Sequence, residues 1–220
     1  GSVVVGGGFN SSTTVFGNTA SGIGSFVGAG VVNFASGLYA SVLAGSNNLS
    51  NNNSTSVYGG TYATTRSIVG NTVTAGGNSQ IAAVQGNSQA ALLVLGRETT
   101  DATATVITSN NLSAAATNQI ALPINSAYFF TGEVIAGVTA AGDTKGWSIE
   151  GVIKRATTAA STALVGTPTV TSLYADAGAS TWSVAVTADT TNAALKITVT
   201  GAASTTIRWV AQIRTTEMTF

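Results

Sequence analysis

The sequence predicts an all-β protein: a repetitive β-roll or β-helix-like rod over residues 1–96, a connector over 97–111 and an antiparallel β-sandwich over 112–220. Three observations predict it. The first 96 residues hold no Asp or Glu and one basic residue, Arg66. Within them a short apolar pair closed by glycine keeps returning. From Arg97 onward come all eight acids, seven of the eight bases and all three tryptophans, set in longer alternating runs.

The returning unit reads Val4-Val5-Gly6, Val15-Phe16-Gly17, Phe26-Val27-Gly28, Val42-Leu43-Ala44-Gly45, Val57-Tyr58-Gly59, Ile68-Val69-Gly70, Ala83-Val84-Gln85-Gly86 and Val94-Leu95-Gly96. Counted between those glycines the steps are irregular: 11, 11, 17, 14, 11, 16 and 10 residues. A second phrase, Asn-x-Ala-Ser-Gly, occurs at Asn18 to Gly22 and again 15 residues later at Asn33 to Gly37. Short β-branched or aromatic segments closed by Gly-Asn or Gly-Ser read as strand then turn, and their recurrence reads as stacked coils with two short strands each. The asparagine-rich run from Ser46 to Thr55 reads as a bulged loop or a longer coil.

One apolar pair per coil contributes only about 3–6 kcal/mol. Ordering a dozen residues costs roughly 1–2 kcal/mol each for the backbone alone. A single copy is therefore marginal, and the expected assembly is a homotrimer in which each coil's pair faces its counterparts across the axis. About seven coils at roughly 4.8 Å per layer give a rod on the order of 35 Å long.

The second part reads as longer strands. Tyr128, Phe130, Gly132, Val134 and Ala136 share one face of the stretch 127–138, and Trp147, Ile149, Gly151 and Ile153 share a face of the next. Trp182, Val184 and Val186 precede the turn Asp189-Thr190-Thr191-Asn192, after which Leu195, Ile197 and Val199 alternate, then Ile207, Trp209, Ala211 and Ile213. Pro168 to Tyr174 supplies a further strand with proline at its start, where a strand tolerates one. Each tryptophan is in phase with aliphatic neighbours, which assigns it to the core.

Composition narrows the function. Net charge is zero, so there is no electrostatic footprint for nucleic acid or an anionic membrane. No run approaches the roughly 18 apolar residues of a membrane span. The chain opens on Gly1-Ser2 and its one methionine is Met218, which reads as a fragment. There is no His and no Cys, which removes Ser-His-Asp and cysteine nucleophiles and ordinary zinc sites. No calcium-loop spacing is present, and the expectation is a chain without cofactor or metal. Glycoside hydrolysis needs only two carboxyl groups about 5–9 Å apart. Glu133 and Glu150 sit on strands that can lie side by side, although the simpler reading is two solvated outward positions. The sequence alone is read as that of a protein that is not an enzyme.

Recognition is expected in turns of the second part, since loops on a rigid scaffold are where binding concentrates. The residues are Asp143 and Lys145 in one turn, Tyr174 and Asp176 in another, and Asp189 to Asn192 in a third. Tyr174 is the preferred exposed aromatic because it lies where strand becomes turn; Tyr58 and Tyr62 are alternatives. Local turn hydrogen bonding is the simpler role for Asp143, Asp176 and Asp189.

The phrases Gly17-Asn18-Thr19-Ala20-Ser21-Gly22 and Asn33-Phe34-Ala35-Ser36-Gly37 resemble the head repeats of trimeric autotransporter adhesins, which also occur in phage fibres. The segments Ala116 to Pro123, Ala127 to Gly132, Trp147 to Arg155 and Ser183 to Ala211 are similar to the carboxyl-terminal domain of tail-fibre and tail-tip proteins of tailed phages. The resemblance implies a homotrimeric fibre end, at the distal end of a virion's tail fibre, that binds a bacterial surface structure such as a polysaccharide by multivalent non-covalent contacts. Two rivals are a polysaccharide-degrading tailspike and a cellular trimeric adhesin. Ice binding finds no regular threonine array here.

Overall fold

The computed structural model describes residues 1–10, 14–77, 81–140 and 142–220, with side chains described except at 8–10 and 14–16. The side chains of the pair Val15-Phe16 thus lie outside the described residues. Among the described residues the secondary structure is β apart from two short 3-10 turns, and the chain forms two units: Gly1–Leu92 with Thr216–Phe220, and Leu93–Thr215.

The first unit contains a β-solenoid of about four turns, against about seven coils expected. One parallel ladder stacks Val3–Val4, Phe26–Val27, Ser41–Val42, Ser56–Gly59 and Thr72–Ala75; a second stacks Thr19–Ala20, Phe34–Ala35 and Leu49–Ser50. Two strands per coil is what the two alternating phrases predict. From Asn18 to Ala63 the period is regular, however. Asn18 Oδ1 accepts from the Asn33 amide, Asn33 Oδ1 from Asn48 and Asn48 Oδ1 from Ala63, each over 15 residues.

Glycine sets the same period. Gly30, Gly45 and Gly60 have φ of 100°, 106° and 98°, a left-handed backbone that side chains resist. A Cβ on Gly30 or Gly45 would come within 1.9 Å or 2.0 Å of the next coil's glycine carbonyl. The irregular steps arose because the glycine closing an apolar pair is not always this corner glycine: Gly28 precedes Gly30 by two residues. The run Ser46 to Thr55 is likewise an ordinary coil, with Asn48 fully buried as a rung and Leu49–Ser50 as its strand.

Within the parallel ladder the pairs Val42-Leu43 and Val57-Tyr58 divide between inside and outside, as the two-residue alternation of a strand requires. Val42 and Val57 are fully buried within the solenoid, whereas Leu43 and Tyr58 remain 45% and 61% exposed. The interior turns polar in the third coil, where buried Ser50 and Thr55 hydroxyls meet at 2.8 Å. Parallel stacks need caps. Here Ser88–Thr99 closes the last parallel strand by antiparallel pairing from Thr72↔Leu92 to Ala75↔Gln89. Val94 to Gly96 therefore belongs to a long strand, and Ala83 to Gly86 to a turn region before it, where the sequence suggested further coils.

The strand Ile207–Thr219, which like Ser88–Thr99 has residues in both units, lies between Ser88–Thr99 and Ser126–Val138; in the second unit Ser126–Val138 pairs with Thr144–Arg155, and both Ala163–Leu164 and Thr169–Ala175 pair with the last. A separate antiparallel sheet has Ala194–Thr200 paired with Ser183–Asp189, Thr105–Val106 and Ile120–Ala121. The strands and inward faces match the alternation read from the sequence. Trp147, Trp182 and Trp209 are all buried, the first and last stacked at 5.7 Å and Trp182 tilted against Trp209 at 6.0 Å.

Candidate functional site

The six residues singled out by sequence divide into two places. Asp143, Lys145, Tyr174 and Asp176 come together where Thr144–Arg155 meets the end of Thr169–Ala175. Asp189 ends the strand Ser183–Asp189, which at seven residues is about 20 Å long, and Asn192 follows it, at the far end from Trp182.

Asp189 organises its own turn. Its Oδ1 accepts from the Thr191 amide at 3.0 Å and the Asn192 amide at 2.9 Å, and its Oδ2 accepts from Asn192 Nδ2 at 2.9 Å. Burial opposes ionisation of this carboxyl, but the hydrogen bonds from Asn192 and Thr191 outweigh it and hold its pKa below the ordinary value. A depressed folded-state pKa stabilises the protein above the unfolded value, and that contribution is lost as pH falls through the folded one. Asp189→Asn is therefore expected to be less stable than wild type at neutral pH. Its deficit should shrink as pH falls below the usual aspartate range, as read by chemical denaturation at a series of pH values.

The other cluster surrounds a break in strand register. Gly146 stands opposite Tyr174 and Trp147 opposite Ser172, so Leu173 is the extra residue of a β-bulge. Directly opposed residues share a face, and the bulge moves Tyr174 onto the side that Gly146 faces, the kind of re-aiming bulges perform. Tyr174 is 82% exposed. The floor beside it is open, because a Cβ on Gly146 would find only the Val134 carbonyl oxygen, at 3.9 Å.

A trough runs from this floor along the outer side of the sheet. One part, about 300 Å³, is lined by residues including Glu133, Ile135, Gly146, Leu173 and Val210; the adjoining part, about 280 Å³, shares Ile135 and Val210 and reaches Thr144 and Arg208. Glu133 is opposed to Ser148 and Glu150 to Thr131. The two exposed acids are thus diagonal neighbours on one face, about 7–8 Å apart by strand geometry. Both are on the outward face, as the simpler sequence reading had it.

Lys145 differs from its companions. It is 7% exposed, and its Nζ donates to the Ser180 and Trp182 carbonyls at 3.1 and 2.8 Å while lying 5.2 Å from the Trp147 ring centre. The residues that sequence reasoning missed are Gly146, Leu173, Ile135 and Val210. Gly146 carried a signal, since glycine inside a strand often marks a bulge or a close approach. Tyr58 stands out on the solenoid as an exposed ring, whereas Tyr62 is half-buried.

No protein-family model matches the chain, and no curated protein matches it. Among solved structures it is similar to a tailspike protein, gp49, from Acinetobacter baumannii bacteriophage Fri1, described as a capsular polysaccharide depolymerase, at 8% identity and a TM-score of 0.33. It is also similar to the tailspike protein of Acinetobacter phage vB_ApiP_P1, at 13% identity and a TM-score of 0.27. The matches cover 86% and 89% of this chain but only 32% and 51% of those proteins. The structural neighbours are phage tailspikes. These two are tailspikes, whereas the resemblance read from the sequence is to tail fibres and autotransporter heads. One expectation is overturned here: the chain was read as not an enzyme, and its structural neighbours include a polysaccharide depolymerase, so that reading is withdrawn.

Proposed function

We propose that the chain is part of a phage tail protein that recognises a bacterial surface polysaccharide, and that the trough beside Tyr174 takes the sugar. The observation that carries this reading is Tyr174 itself, an exposed ring that a bulge brings to the sheet face of Gly146, a position with no side chain. A sugar ring presents an apolar face and a rim of hydroxyls. An exposed aromatic, apolar walls at Leu173, Ile135 and Val210, and polar groups at Glu133 and Gln212 are the complement of that chemistry. In this reading the two sheets of the second unit form a β-sandwich that holds the trough rigid.

Three copies are proposed to act together at the end of a tail appendage on the virion. Val5, Leu43 and Tyr58 are 71%, 45% and 61% exposed and lie outside the same ladder, an apolar stripe that association would cover. Three weak sites on one support gain avidity against a repeating glycan.

A second reading is cleavage of the bound glycan by the Glu133 and Glu150 carboxylates. Their diagonal register gives a spacing of the order that glycoside hydrolysis uses, and Glu133 lines the trough. New reducing ends released from polysaccharide by wild type but not by Glu133→Gln would establish it.

The test of recognition is binding of the labelled protein to host bacteria and to mutants lacking surface polysaccharide. Wild type should bind only the former. Tyr174→Ala should weaken binding at least about tenfold with little change in stability, because the ring is 82% exposed. Equal binding to both strains would overturn the glycan assignment.

A further inference from the structure

The acidic residues around Tyr174 have a use that does not require them to touch a ligand. Asp143-Thr144, where the strand Thr144–Arg155 begins, and the loop after Ala175 each hold the other. Asp176 Oδ2 accepts from the Thr144 amide at 2.9 Å, and the Asp176 amide returns a bond to the Thr144 carbonyl at 3.0 Å. In the opposite sense, Asp143 Oδ1 accepts from the Gly178 amide at 3.2 Å. Each segment thus supplies an aspartate oxygen to a backbone N–H of the other.

The fit around this clamp is close. A Cβ on Gly178 would fall 2.1 Å from Asp143 Oδ2, so only glycine lets the carboxylate seat there. Behind the loop after Ala175, Lys145 Nζ holds the Ser180 and Trp182 carbonyls. Asp176 also caps a short 3-10 turn through its carbonyl, which accepts from the Ala179 amide at 3.1 Å. Tyr174 sits two residues before Asp176 on the strand that this arrangement terminates.

We infer that Asp143, Asp176 and Lys145 are positioning residues, which fix the backbone that presents Tyr174 and meet the glycan only through that ring. This rests on the proposed sugar site and deepens it. A ring held in its bound orientation loses less freedom on binding, which is how preorganisation raises affinity. The side-chain oxygen of asparagine accepts the same amide bond that aspartate does, whereas alanine cannot; the two substitutions therefore separate bracing from ligand contact.

The experiment compares Asp143→Asn, Asp143→Ala, Asp176→Asn and Asp176→Ala in the full chain. Two readouts are taken: affinity for purified host polysaccharide, and hydrogen exchange of the peptides holding the Thr144 and Gly178 amides. The expected result is about tenfold weaker binding and faster exchange in the alanine variants, with the asparagine variants near wild type in both. Asparagine variants that bind as poorly as alanine while keeping wild-type exchange would overturn the inference, by showing that the carboxylates contact the sugar. Alanine variants with unchanged exchange would overturn it too. If wild type itself binds no polysaccharide, the sugar site fails, while exchange still decides whether the clamp exists.

Discussion

Replacing Glu217 with alanine is expected to destabilise the first unit by about 3–5 kcal/mol, the cost of leaving a buried charge without its partner. Arg66 Nε lies 2.8 Å from Glu217 Oε2, and the two side chains are 8% and 3% exposed. The pair belongs to a larger cap. Gln89 Nε2 donates to the same Glu217 oxygen at 2.7 Å and to the Thr64 carbonyl, while Gln89 Oε1 accepts from the Thr64 amide at 2.9 Å. Arg66 Nη2 also holds the Gly86 carbonyl at 2.6 Å. Where the asparagine ladder ends at Ala63, Gln89 takes over the pairing of the next residue, and the carboxyl-terminal strand secures it through Glu217. Substituting both partners, Arg66→Met with Glu217→Leu, should cost far less than either alone, since no charge is then stranded. Denaturant unfolding, read together with hydrogen exchange in the solenoid, measures this. A loss below about 1 kcal/mol for Glu217→Ala would place the pair with solvated surface bridges.

Asn48→Ala should rank next, at about 2–4 kcal/mol, because each buried polar group left unpaired costs about 1–3 kcal/mol. Asn48 Nδ2 donates to the Ala44 and Gly60 carbonyls at 3.2 and 3.0 Å, and its Oδ1 takes the Ala63 amide at 2.8 Å. Truncation strands that amide inside the stack. Solenoid stability is a sum over neighbouring coils, so a central rung weakens the interfaces on both sides. Asn18 stands at the end of the ladder and is only partly buried, and Asn18→Ala should cost less than half as much. Thermal unfolding of the two variants side by side checks the order; equal losses would show that the ladder is not a cooperative stack.

The second unit was legible in the sequence because antiparallel strands with one buried face write their structure in a period of two. The inward sets from Tyr128 to Ala136 and from Ile207 to Ile213 are buried as alternation predicts. The same parity would have placed Lys145: it is two residues from Trp147 and four from Ile149, on the inward side, and its position beside a turn concealed this. Tyr174 was picked out correctly as an exposed ring, but the bulge that turns it toward Gly146 depends on pairing register, which no local pattern displays.

The solenoid was legible in kind and not in period. Its corner glycines are one class and the glycines that close apolar pairs are another, and only the first keeps a fixed step. Asn48 was hidden among the asparagines of a polar run, although it lies 15 residues after Asn33. A one-residue insertion, visible where Ser56 pairs with Thr72 in place of the 15-residue step, blurred the count further. Arg66 and Glu217 are 151 residues apart, and the only hint of their contact was a lone charge in an otherwise uncharged stretch.

Titration of purified host polysaccharide against wild type and Gly146→Val tests the proposed site most directly. Valine suits a strand, Gly146 has no left-handed backbone to violate, and its Cβ direction is open, so the fold should survive while the trough floor is filled. The account predicts saturable binding by wild type and its loss in Gly146→Val at unchanged melting temperature. Wild-type affinity in a correctly folded Gly146→Val protein would contradict it.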